Sequence, residues 1–596
     1  MSHTFHIPVL GLGYTIDTPL KVARYGISSV ISIVDDLVID RAHQLHAKDT
    51  DTAYLPIPKN EVDSRAKRIT SYLNMVDEMV NQQFESLKTQ AFDPDTELSR
   101  YFDLLPEDAP LKQEYRQMLA VADATEKLRL QTILKAKMTK GAIDVNIMAK
   151  VDKTNYAPDG VALVEEFNDA MAALRGFAQS NLNASLILSA GMNPRLYSYL
   201  EIFKDFLPDA KQQFKKRVIL KVSDFRSAFI QAKFLAKKGI WVSEFRVESG
   251  LNCGGHAFAT EGFLLGPILE EFKAKRQEMI LELFALYQNA LIRKGLNITV
   301  APDLKISVQG GVGTAEEHAF LLNHYQLDAA GWGSPFLLVP EATNVDPETL
   351  ADLAAAEEKD FYISGASPLG IPFNNFSKSS AERQRLQRIA KGRPGSPCVK
   401  KFLVSNTEFT DQPICVASRE YQNLKIKALQ SSNLPAEIYQ QEFDRVTEKL
   451  CLCEGLVSSF FIKNKALNPK ENHAVAICPG PNTAFFKRIF TLKEMVKHIY
   501  GELNLLEGVS RPHLFIKELQ LYVEYLNKDM SNQVSEINKK KQQSLLKFKQ
   551  ELLNGISYYR NLYPNIATLK SNFKAQMLEQ LNELELRIQS LQLSTA

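Results

Sequence analysis

The run Ile240-Trp241-Val242-Ser243-Glu244-Phe245-Arg246-Val247 leads directly into Glu248-Ser249-Gly250-Leu251-Asn252-Cys253-Gly254-Gly255-His256. Its first part alternates in polarity as a strand does, and its second part is a glycine-rich turn that ends on a histidine. Folds of the α/β class place ligands at the carboxyl ends of strands, and glycine lets the backbone approach a ligand closely. Histidine exchanges protons near neutral pH. The stretch therefore predicts an active-site turn with His256 as the catalytic residue; the alternative is a loop that holds a hydrogen-bonded histidine.

The same strand-and-turn unit recurs through the first 345 residues. Seven further apolar runs are predicted as strands: Ile7–Leu10, Ile27–Val34, Ala142–Met148, Ser185–Ser189, Arg217–Val222, Asp303–Gln309 and Leu327–Gly331. Helical patterns separate most of them, which predicts a parallel sheet with right-handed crossovers. Eight such units favour a closed (β/α)₈ TIM barrel over residues 1–345, with an open doubly wound sheet as the alternative.

Three other regions differ from this pattern. Residues 35–140 are charged and amphipathic, and they predict a helical insertion within the barrel. Residues 346–430 are rich in Pro, Gly, Ser and Asn and predict a loop-rich extension, while residues 431–596 are predicted to be mostly helical. The last helices could form a coiled-coil-like hairpin, but amphipathic helices packed on their own domain are the favoured interpretation.

Composition limits the class of protein. The formal charge is only +2 over 596 residues, which argues against nucleic acid as a partner. Uninterrupted apolar runs stay below the ~20 residues that a membrane span needs. The first residues lack the basic and apolar parts of a signal peptide, so we expect a cytoplasmic protein without a membrane span.

The cysteines are a weaker signal. Five of the six follow the predicted barrel, at Cys398, Cys415, Cys451, Cys453 and Cys478. Parts of this set resemble pieces of metal or iron–sulfur sites, in which thiolates gather near turns. The set has neither a CxxC pair nor a four-cysteine block of standard spacing. We therefore predict no metal here and interpret the cysteines as buried or incidental.

A second glycine-rich turn, Gly310-Gly311-Val312-Gly313-Thr314, follows the seventh predicted strand. Thr314 is predicted to cap the next helix, with Glu317 completing a capping box. Amides at a helix start bind phosphate well, and Gly333 and Ser334 after the last strand could add to the site. The turn is not a Walker motif, because no Lys-Ser/Thr pair follows the glycines. Two purely structural turns are the alternative.

These turns, in this order, resemble the nitronate monooxygenase family, also called 2-nitropropane dioxygenase-like. Its members are FMN-dependent (β/α)₈ barrels and include flavin enoyl reductases of fatty-acid and polyunsaturated-lipid synthesis. The family's central pattern, EGxEAGGH, is matched here by Gly250, Gly254, Gly255 and His256. Ser249 and Asn252 stand where the family has glutamates.

The resemblance implies further contacts with FMN. The family's phosphate turn "GGI" corresponds to Gly310, Gly311 and Val312, and its "GT-F" corresponds to Gly333, Ser334 and Phe336. Its strand asparagine corresponds to Asn146, and Lys221 stands where a basic residue contacts the flavin. The loop beneath the ring usually reads "APM"; here it is Leu10-Gly11-Leu12-Gly13, which departs from the family pattern. The resemblance assigns Gly11 of this loop to cofactor binding.

The function that this resemblance implies is FMN-dependent oxidation of nitronates or nitroalkanes with O₂. One alternative is an enoyl-thioester reductase that uses NAD(P)H beside a fatty-acid or polyketide synthase. Another is a non-catalytic barrel scaffold with a helical interaction tail. The expected partners are a small-molecule substrate, NAD(P)H in the reductase reading, and a protein partner or second copy bound through the C-terminal helices.

Overall fold

A computed structural model describes residues 2–148, 152–157, 160–189, 191–253, 261–531, 539–566 and 571–591. Eight parallel strands close into a barrel in chain order. They are β1 (Phe5–Ile7), β2 (Ser28–Ser32), β3 (Ile143–Ile147), β4 (Ala184–Leu188), β5 (Lys216–Val222), β6 (Val242–Glu248), β7 (Lys305–Gln309) and β8 (Ala329–Gly331). The pairing of β8 with β1 confirms the predicted closed barrel and shows that the alternative of an open sheet is wrong.

The first strand lies earlier than the sequence predicts. It ends at Ile7, because Pro8 has no N–H to continue the ladder. His6 and Ile7 are in register with Ser28 and Ser29 of β2. Residues 8–13 therefore form a loop at the carboxyl end of the barrel, which we call the mouth.

Helices follow the strands as a (β/α)₈ barrel requires. In the first 345 residues they are α1 (Thr18–Val22), α2 (Asp36–Asp49), α3 (Ser64–Thr89), α4 (Glu97–Asp103), α5 (Pro110–Ala120), α6 (Ala124–Lys137), α7 (Asp169–Gln179), α8 (Pro194–Tyr199), α9 (Phe225–Lys237), α10 (Leu265–Arg293) and α11 (Ala315–His324). Side chains cap the starts of two of these helices. Asn193 accepts the Leu196 N–H at the start of α8, and Asp224 accepts the Ser227 N–H at the start of α9.

The helical insertion lies on the flank and base of the barrel. In α3, the Thr70 hydroxyl donates to the Gly176 carbonyl of α7. In α4, Tyr101 hydrogen-bonds to Ser2 and to Thr139, which precede β1 and β3. These contacts place α4 at the amino end of the strands, opposite the mouth.

The barrel interior is unusually polar. A small apolar cluster of Val30, Ile187 and Ile219, with Val9 packed against it, lies apart from the main core. Branched aliphatic side chains usually fill such barrels in three layers. Arg246 of β6 forms ion pairs with Glu244 at 2.8 Å and with Asp144 of β3 at 3.3 Å. Burial raises the pKa of Asp144. The charges are thus paired across the barrel, as a buried cation requires.

The C-terminal region packs on the barrel and shares its hydrophobic core. It contains β9 (Phe361–Ser364), β10 (Phe373–Phe376), α12 (Pro347–Ala354), α13 (Ser380–Ala390), α14 (Arg419–Ser431), α15 (Ala436–Thr447), α16 (Leu452–Lys463), α17 (Leu492–Ile499), α18 (Leu514–Ser531), α19 (Lys539–Leu562) and α20 (Ser571–Ser590). The last three helices pack on one another, and α18 and α19 also contact α10. Their apolar side chains belong to the same continuous core as those of the barrel. Within the described ranges, no helix has the length and apolarity that a membrane span requires.

Candidate active site at the barrel mouth

A buried carboxylate organises one side of the mouth. The Glu248 Oε1 atom, at the end of β6, lies 2.7 Å from Lys221 Nζ of β5. The same oxygen accepts hydrogen bonds from the side-chain amides of Asn252 and Gln309, each at 2.7 Å. This one buried oxygen accepts from three donors, one of which is the Lys221 ammonium. The charged contact fixes the position of that ammonium. Lys221 keeps 15% of its side chain exposed near the end of β5, whereas Glu248 is almost fully buried.

Other polar groups lie near the carboxyl ends of the preceding strands. Asn146 is the penultimate residue of β3, half-buried and in register with Ser32 of β2. The hydroxyls of Ser32 and Ser189 are buried and have no hydrogen-bond partner among the described residues. Such groups are costly unless something pairs with them. The carboxyl ends of β2 to β5 are therefore suited to the polar edge of a ligand.

The predicted phosphate turn is filled by the chain itself. The guanidinium of Arg511 donates to the Gly311 carbonyl and to Asn482 Oδ1, and it pairs with Glu317 at 2.7 Å. The side chain of Asn482 donates to the Val312 carbonyl. Arg511 leaves only 6% of its side chain exposed. The C-terminal region thus lies directly against the turn.

The capping box at α11 is only half as predicted. The Thr314 hydroxyl does accept the Glu317 N–H. The carboxylate of Glu317, however, accepts the N–H of Gly313 and not that of Thr314. The difference arises because Arg511 holds the other oxygen of Glu317 and turns the carboxylate toward the glycine turn. One amide expected to bind phosphate is therefore taken by a carboxylate.

A segment of the C-terminal region, residues 474–486, covers this side of the mouth; we call it the cover segment. Tyr14 donates to the Ala476 carbonyl at 2.8 Å, and the Cys253 thiol donates to the Cys478 carbonyl at 3.2 Å. A Cβ added at Gly480 would stand 2.8 Å from Ser334 Oγ. The cover segment is buried throughout residues 474–486. It occupies the space beside Ser334 in which the sequence places a phosphate.

The described glycines of the two turns are required by protein contacts. A Cβ at Gly250 would lie 2.4 Å from the ring of Tyr522 in α18. A Cβ at Gly311 would lie 2.5 Å from the Leu251 side chain, and Gly310 has a φ of 109° beside Asn252. The close packing of other residues of the protein against these positions thus explains why they are glycines, without a bound ligand.

Two more glycines that were predicted to bind the cofactor are also in close contact with other protein atoms. A Cβ at Gly11 would meet the Tyr14 ring at 2.5 Å, and one at Gly333 would stand 3.2 Å from the Cys253 side chain. Gly254, Gly255 and the predicted catalytic residue His256 lie outside the described residues. The assignment of these residues to cofactor and catalysis stays a prediction.

The two halves of the mouth differ in their fit to FMN. Asn146, Lys221 and the unpartnered hydroxyls of Ser32 and Ser189 fit the polar edge of a flat ring. The turn at 310–314 does not fit the phosphate as described, because Glu317 and Arg511 occupy it. The described residues therefore support a site for the ring and not the predicted site for the phosphate.

Ser249 connects the central turn to the C-terminal helices. Its hydroxyl donates to Glu518 Oε1 at 2.8 Å, and the N–H of Leu265 donates to Glu518 Oε2 at 2.8 Å. Burial raises the pKa of Glu518 to about 7, although these hydrogen bonds oppose the shift. Glu518 is therefore a carboxyl group that changes its charge near neutral pH between the barrel and α18.

We expect Glu518 to make the stability of the protein pH-dependent. Its pKa rises from the ordinary 4.5 to about 7 on folding, so the folded chain binds more protons between these values. The free energy of unfolding should therefore fall as the pH rises through this window, by about 3 kcal/mol for this group. Glu518→Gln, which resembles the protonated acid, should lose this slope in urea unfolding measured at pH 5 and pH 8.

The matched control is Glu524→Gln, which changes an exposed carboxylate on the same helix. It should leave the pH dependence as in the wild type. Parallel stability curves for the wild type and Glu518→Gln would contradict the role given to Glu518.

Several residues of the mouth were missed by sequence reasoning. Gln309 ended a predicted strand and Glu248 began the central turn, but neither was given a role, and Arg511 and Asn482 lie far from the barrel in sequence. One signal was present: Cys478-Pro479-Gly480-Pro481 follows a short apolar run, as a rigid buried segment does. Nothing in that signal indicates which surface it covers.

The fold and site define a closed (β/α)₈ barrel whose mouth is partly covered by its own C-terminal region. No family model and no curated protein matches the chain. Several solved structures are similar to it, and two of them are described here. The enoyl reductase domain of MlnA, from the macrolactin biosynthesis cluster of Bacillus amyloliquefaciens, is 13% identical with a TM-score of 0.33, covering 69% of this chain and 88% of that chain.

The second structure is a nitroalkane oxidase from Streptomyces ansochromogenes. It is 12% identical with a TM-score of 0.24, and the match covers 58% of this chain and 88% of that chain. At these values neither likeness carries an argument about function. The chemistry of the chain must be inferred from its own residues.

Proposed function

We propose that the protein is a flavin-dependent oxidoreductase whose flavin ring binds at the barrel mouth, beside the carboxyl ends of β2 to β5. The observation that carries the proposal is the Lys221 ammonium, held by Glu248 at 2.7 Å near the end of β5. Asn146 of β3, Ser32 of β2 and Ser189 after β4 lie at the same end of the barrel, and the two serine hydroxyls have no hydrogen-bond partner among the described residues. Together they offer donors and a positive charge to the polar edge of a flat, electron-accepting ring.

The roles of the chain's residues follow from this placement. A bound flavin would supply the transfer of electrons to or from the substrate. Lys221 and Asn146 would orient the ring, and the Glu248 carboxylate would keep Lys221 in place. His256, directly after the central turn in sequence, is proposed to move a proton at the substrate carbon.

The proposed reaction is the oxidation of nitronates or nitroalkanes with O₂, with FMN as the flavin. The runner-up is NAD(P)H-dependent reduction of an enoyl thioester. Both need a flavin ring and a proton-transferring histidine at the mouth, so the described residues do not separate them. A cytoplasmic location and an NAD(P)H donor belong to the same proposal.

The first test is the visible absorption spectrum of the purified protein, followed by titration with FMN, FAD and riboflavin. We expect the two absorption bands of an oxidised flavin and one flavin bound per chain. Lys221→Met should weaken flavin binding by about 10-fold or more, because it removes the charge at the ring edge.

The matched control is Lys233→Met on the outer helix α9, where the lysine pairs with Glu282 at the surface. It should bind flavin as the wild type does. O₂ consumption with a nitronate, and NAD(P)H oxidation with an enoyl thioester, then separate the two reactions. A chain that binds none of the three flavins would reject the proposal and favour the scaffold alternative.

A further inference from the structure

An apolar cavity lies beside the barrel mouth, between the strand ends and the C-terminal region. Its volume is about 50 Å³, and we call it the side cavity. Its wall includes Leu12, Val34 and Ile147 from the barrel and Phe402, Leu403 and Leu456 from the C-terminal region. The side cavity is therefore completed only where the two parts of the chain meet.

The side cavity begins at the strand ends that carry the proposed flavin site. Ile147 is next to Asn146 in β3, and Val34 follows Ser32 of β2 by two residues. An extended chain advances at most about 3.6 Å per residue, so Val34 lies within about 7 Å of Ser32. The next few atoms of a substrate at the ring thus have the side cavity within reach.

The charged residues in the wall of the side cavity are engaged within the protein. Arg65 donates to Asp36 at 2.6 Å, to the Val34 carbonyl at 2.8 Å and to the Asp169 carbonyl at 3.1 Å. The carboxylate of Asp169 accepts a hydrogen bond from the Asn155 side chain at 2.9 Å. A ligand in the side cavity meets hydrocarbon and polar groups that already have partners. Such a lining favours an apolar ligand.

Small side chains leave the space that the side cavity occupies. Ala170 and Ala173 line it one turn apart on α7, and both are buried. Cys453 lines it from α16, and burial raises the pKa of its thiol to about 12. A buried neutral thiol behaves as a small hydrophobic group. Empty apolar space is unfavourable in a protein interior, so a ligand that fills this space is stabilised by it.

The volume of the side cavity limits the size of that ligand. One water-sized sphere takes about 10–15 Å³ on the same measure, so about 50 Å³ holds roughly three to five such groups. A methylene group is close to a water molecule in size. The side cavity therefore matches an unbranched alkyl chain of roughly three to five carbons.

Phe402 lies between the side cavity and a larger one. A cavity of about 580 Å³ between α2 and α16, which we call the outer groove, also has Phe402 in its wall. On α16, Leu452 and Leu456 line the side cavity, whereas Val457 and Phe461 line the outer groove. Phe402 is only half-buried. Its truncation would therefore open the side cavity toward the outer groove without removing a fully buried side chain.

We propose that the side cavity binds the unbranched alkyl chain of the substrate and that Phe402 sets the length of chain accepted. The inference rests on the proposed function, because it takes the reacting carbon to lie at the flavin ring. In nitronate oxidation the chain is the alkyl group of the nitronate. In enoyl-thioester reduction it is the acyl chain beyond the double bond. The C-terminal region then takes part in selecting the substrate.

The first test is kcat/KM for a series of primary nitronates from ethyl to decyl, and for the matching enoyl thioesters. Each added methylene should raise kcat/KM by about 4-fold until the side cavity is full, and little beyond that length. Phe402→Ala should extend the rise to longer chains, because it joins the side cavity to the outer groove. Ala173→Met should end the rise at a shorter chain, because the added side chain fills the space.

The matched control is Phe409→Ala, which changes another half-buried phenylalanine of the same loop-rich segment. Phe409 packs on Tyr421, with ring centroids 5.7 Å apart, and does not line the side cavity. This variant should keep the chain-length profile of the wild type.

The second test is calorimetric titration of the full chain with butanol, hexanol and octanol, which needs no turnover. We expect affinity to rise with chain length and Ala173→Met to weaken hexanol binding by about 10-fold or more. Chain-length-dependent alcohol binding without turnover of either substrate would reject the proposed reactions and keep the side cavity as an alkyl site.

Three results would overturn the inference. The first is a wild type whose turnover and alcohol binding are both independent of chain length. The second is a Phe402→Ala variant with the chain-length profile of the wild type, and this variant decides if Ala173→Met fails to fold. The third is loss of flavin binding in a folded Ala173→Met variant, which would assign the side cavity to the flavin ring.

Discussion

Replacing Arg511 with alanine is expected to lower the free energy of unfolding by about 3–5 kcal/mol. Arg511 is almost fully buried and joins the Gly311 carbonyl, Asn482 and Glu317. Its loss leaves the Glu317 carboxylate in the protein interior without its cation. Breaking a buried pair from one side is costly for this reason, whatever the pair as a whole contributes.

The measurement is urea unfolding of the wild type, the Arg511→Ala variant and the Arg511→Met/Glu317→Gln double variant. The double variant removes both charges and should recover part of the loss. Arg488→Ala, which breaks an exposed pair with Glu494, is the matched control and should cost at most about 1 kcal/mol. A change below 1 kcal/mol for Arg511→Ala would show that the C-terminal region is not anchored to the turn in this way.

The second large effect is expected for catalysis. Replacing His256 with alanine should lower kcat by about 10²–10⁴-fold, the range that positioned proton transfer contributes. The flavin content of the variant should remain that of the wild type, because His256 is proposed to act on the substrate. Turnover of the nitronate and of the enoyl thioester should be measured beside the flavin spectrum of each preparation.

His473→Ala is the matched control, since His473 is exposed in the C-terminal region; its turnover should equal that of the wild type. Loss of flavin together with loss of turnover in His256→Ala would instead assign His256 to cofactor binding. Turnover at the wild-type level would remove it from the mechanism.

The barrel was predictable because its signals are local. Apolar runs such as Arg217–Val222, with capped helices between them, require only neighbouring residues to be recognised. The boundaries were less certain where one residue competes with the pattern, as Pro8 does at the end of β1. The polar interior formed by Asp144, Glu244 and Arg246 was not predicted, because Asp144 lies on β3, far in sequence from Glu244 and Arg246 on β6.

The candidate site was predictable only in part. Lys221 and Asn146 were predicted to lie at strand ends. The structure puts them near the carboxyl ends of β5 and β3, at the mouth. The glycines of the 310–314 turn were interpreted as a phosphate cradle, because a turn before a capped helix is typical of one. The structure instead shows Arg511, Glu317 and the cover segment against that turn. These residues approach from far along the chain, so no local pattern reveals them.

The sequence by itself determined the periodic strands and helices, and hence the closed barrel, because each strand and cap depends on residues a few positions apart. Only the tertiary structure decided how the mouth is used and where the cysteines meet. Arg511 reaches Gly311 and Cys253 reaches Cys478 only after the C-terminal region has folded onto the barrel. Contacts of this kind depend on long-range packing, in which each partner is one of many polar or thiol groups that look alike in sequence.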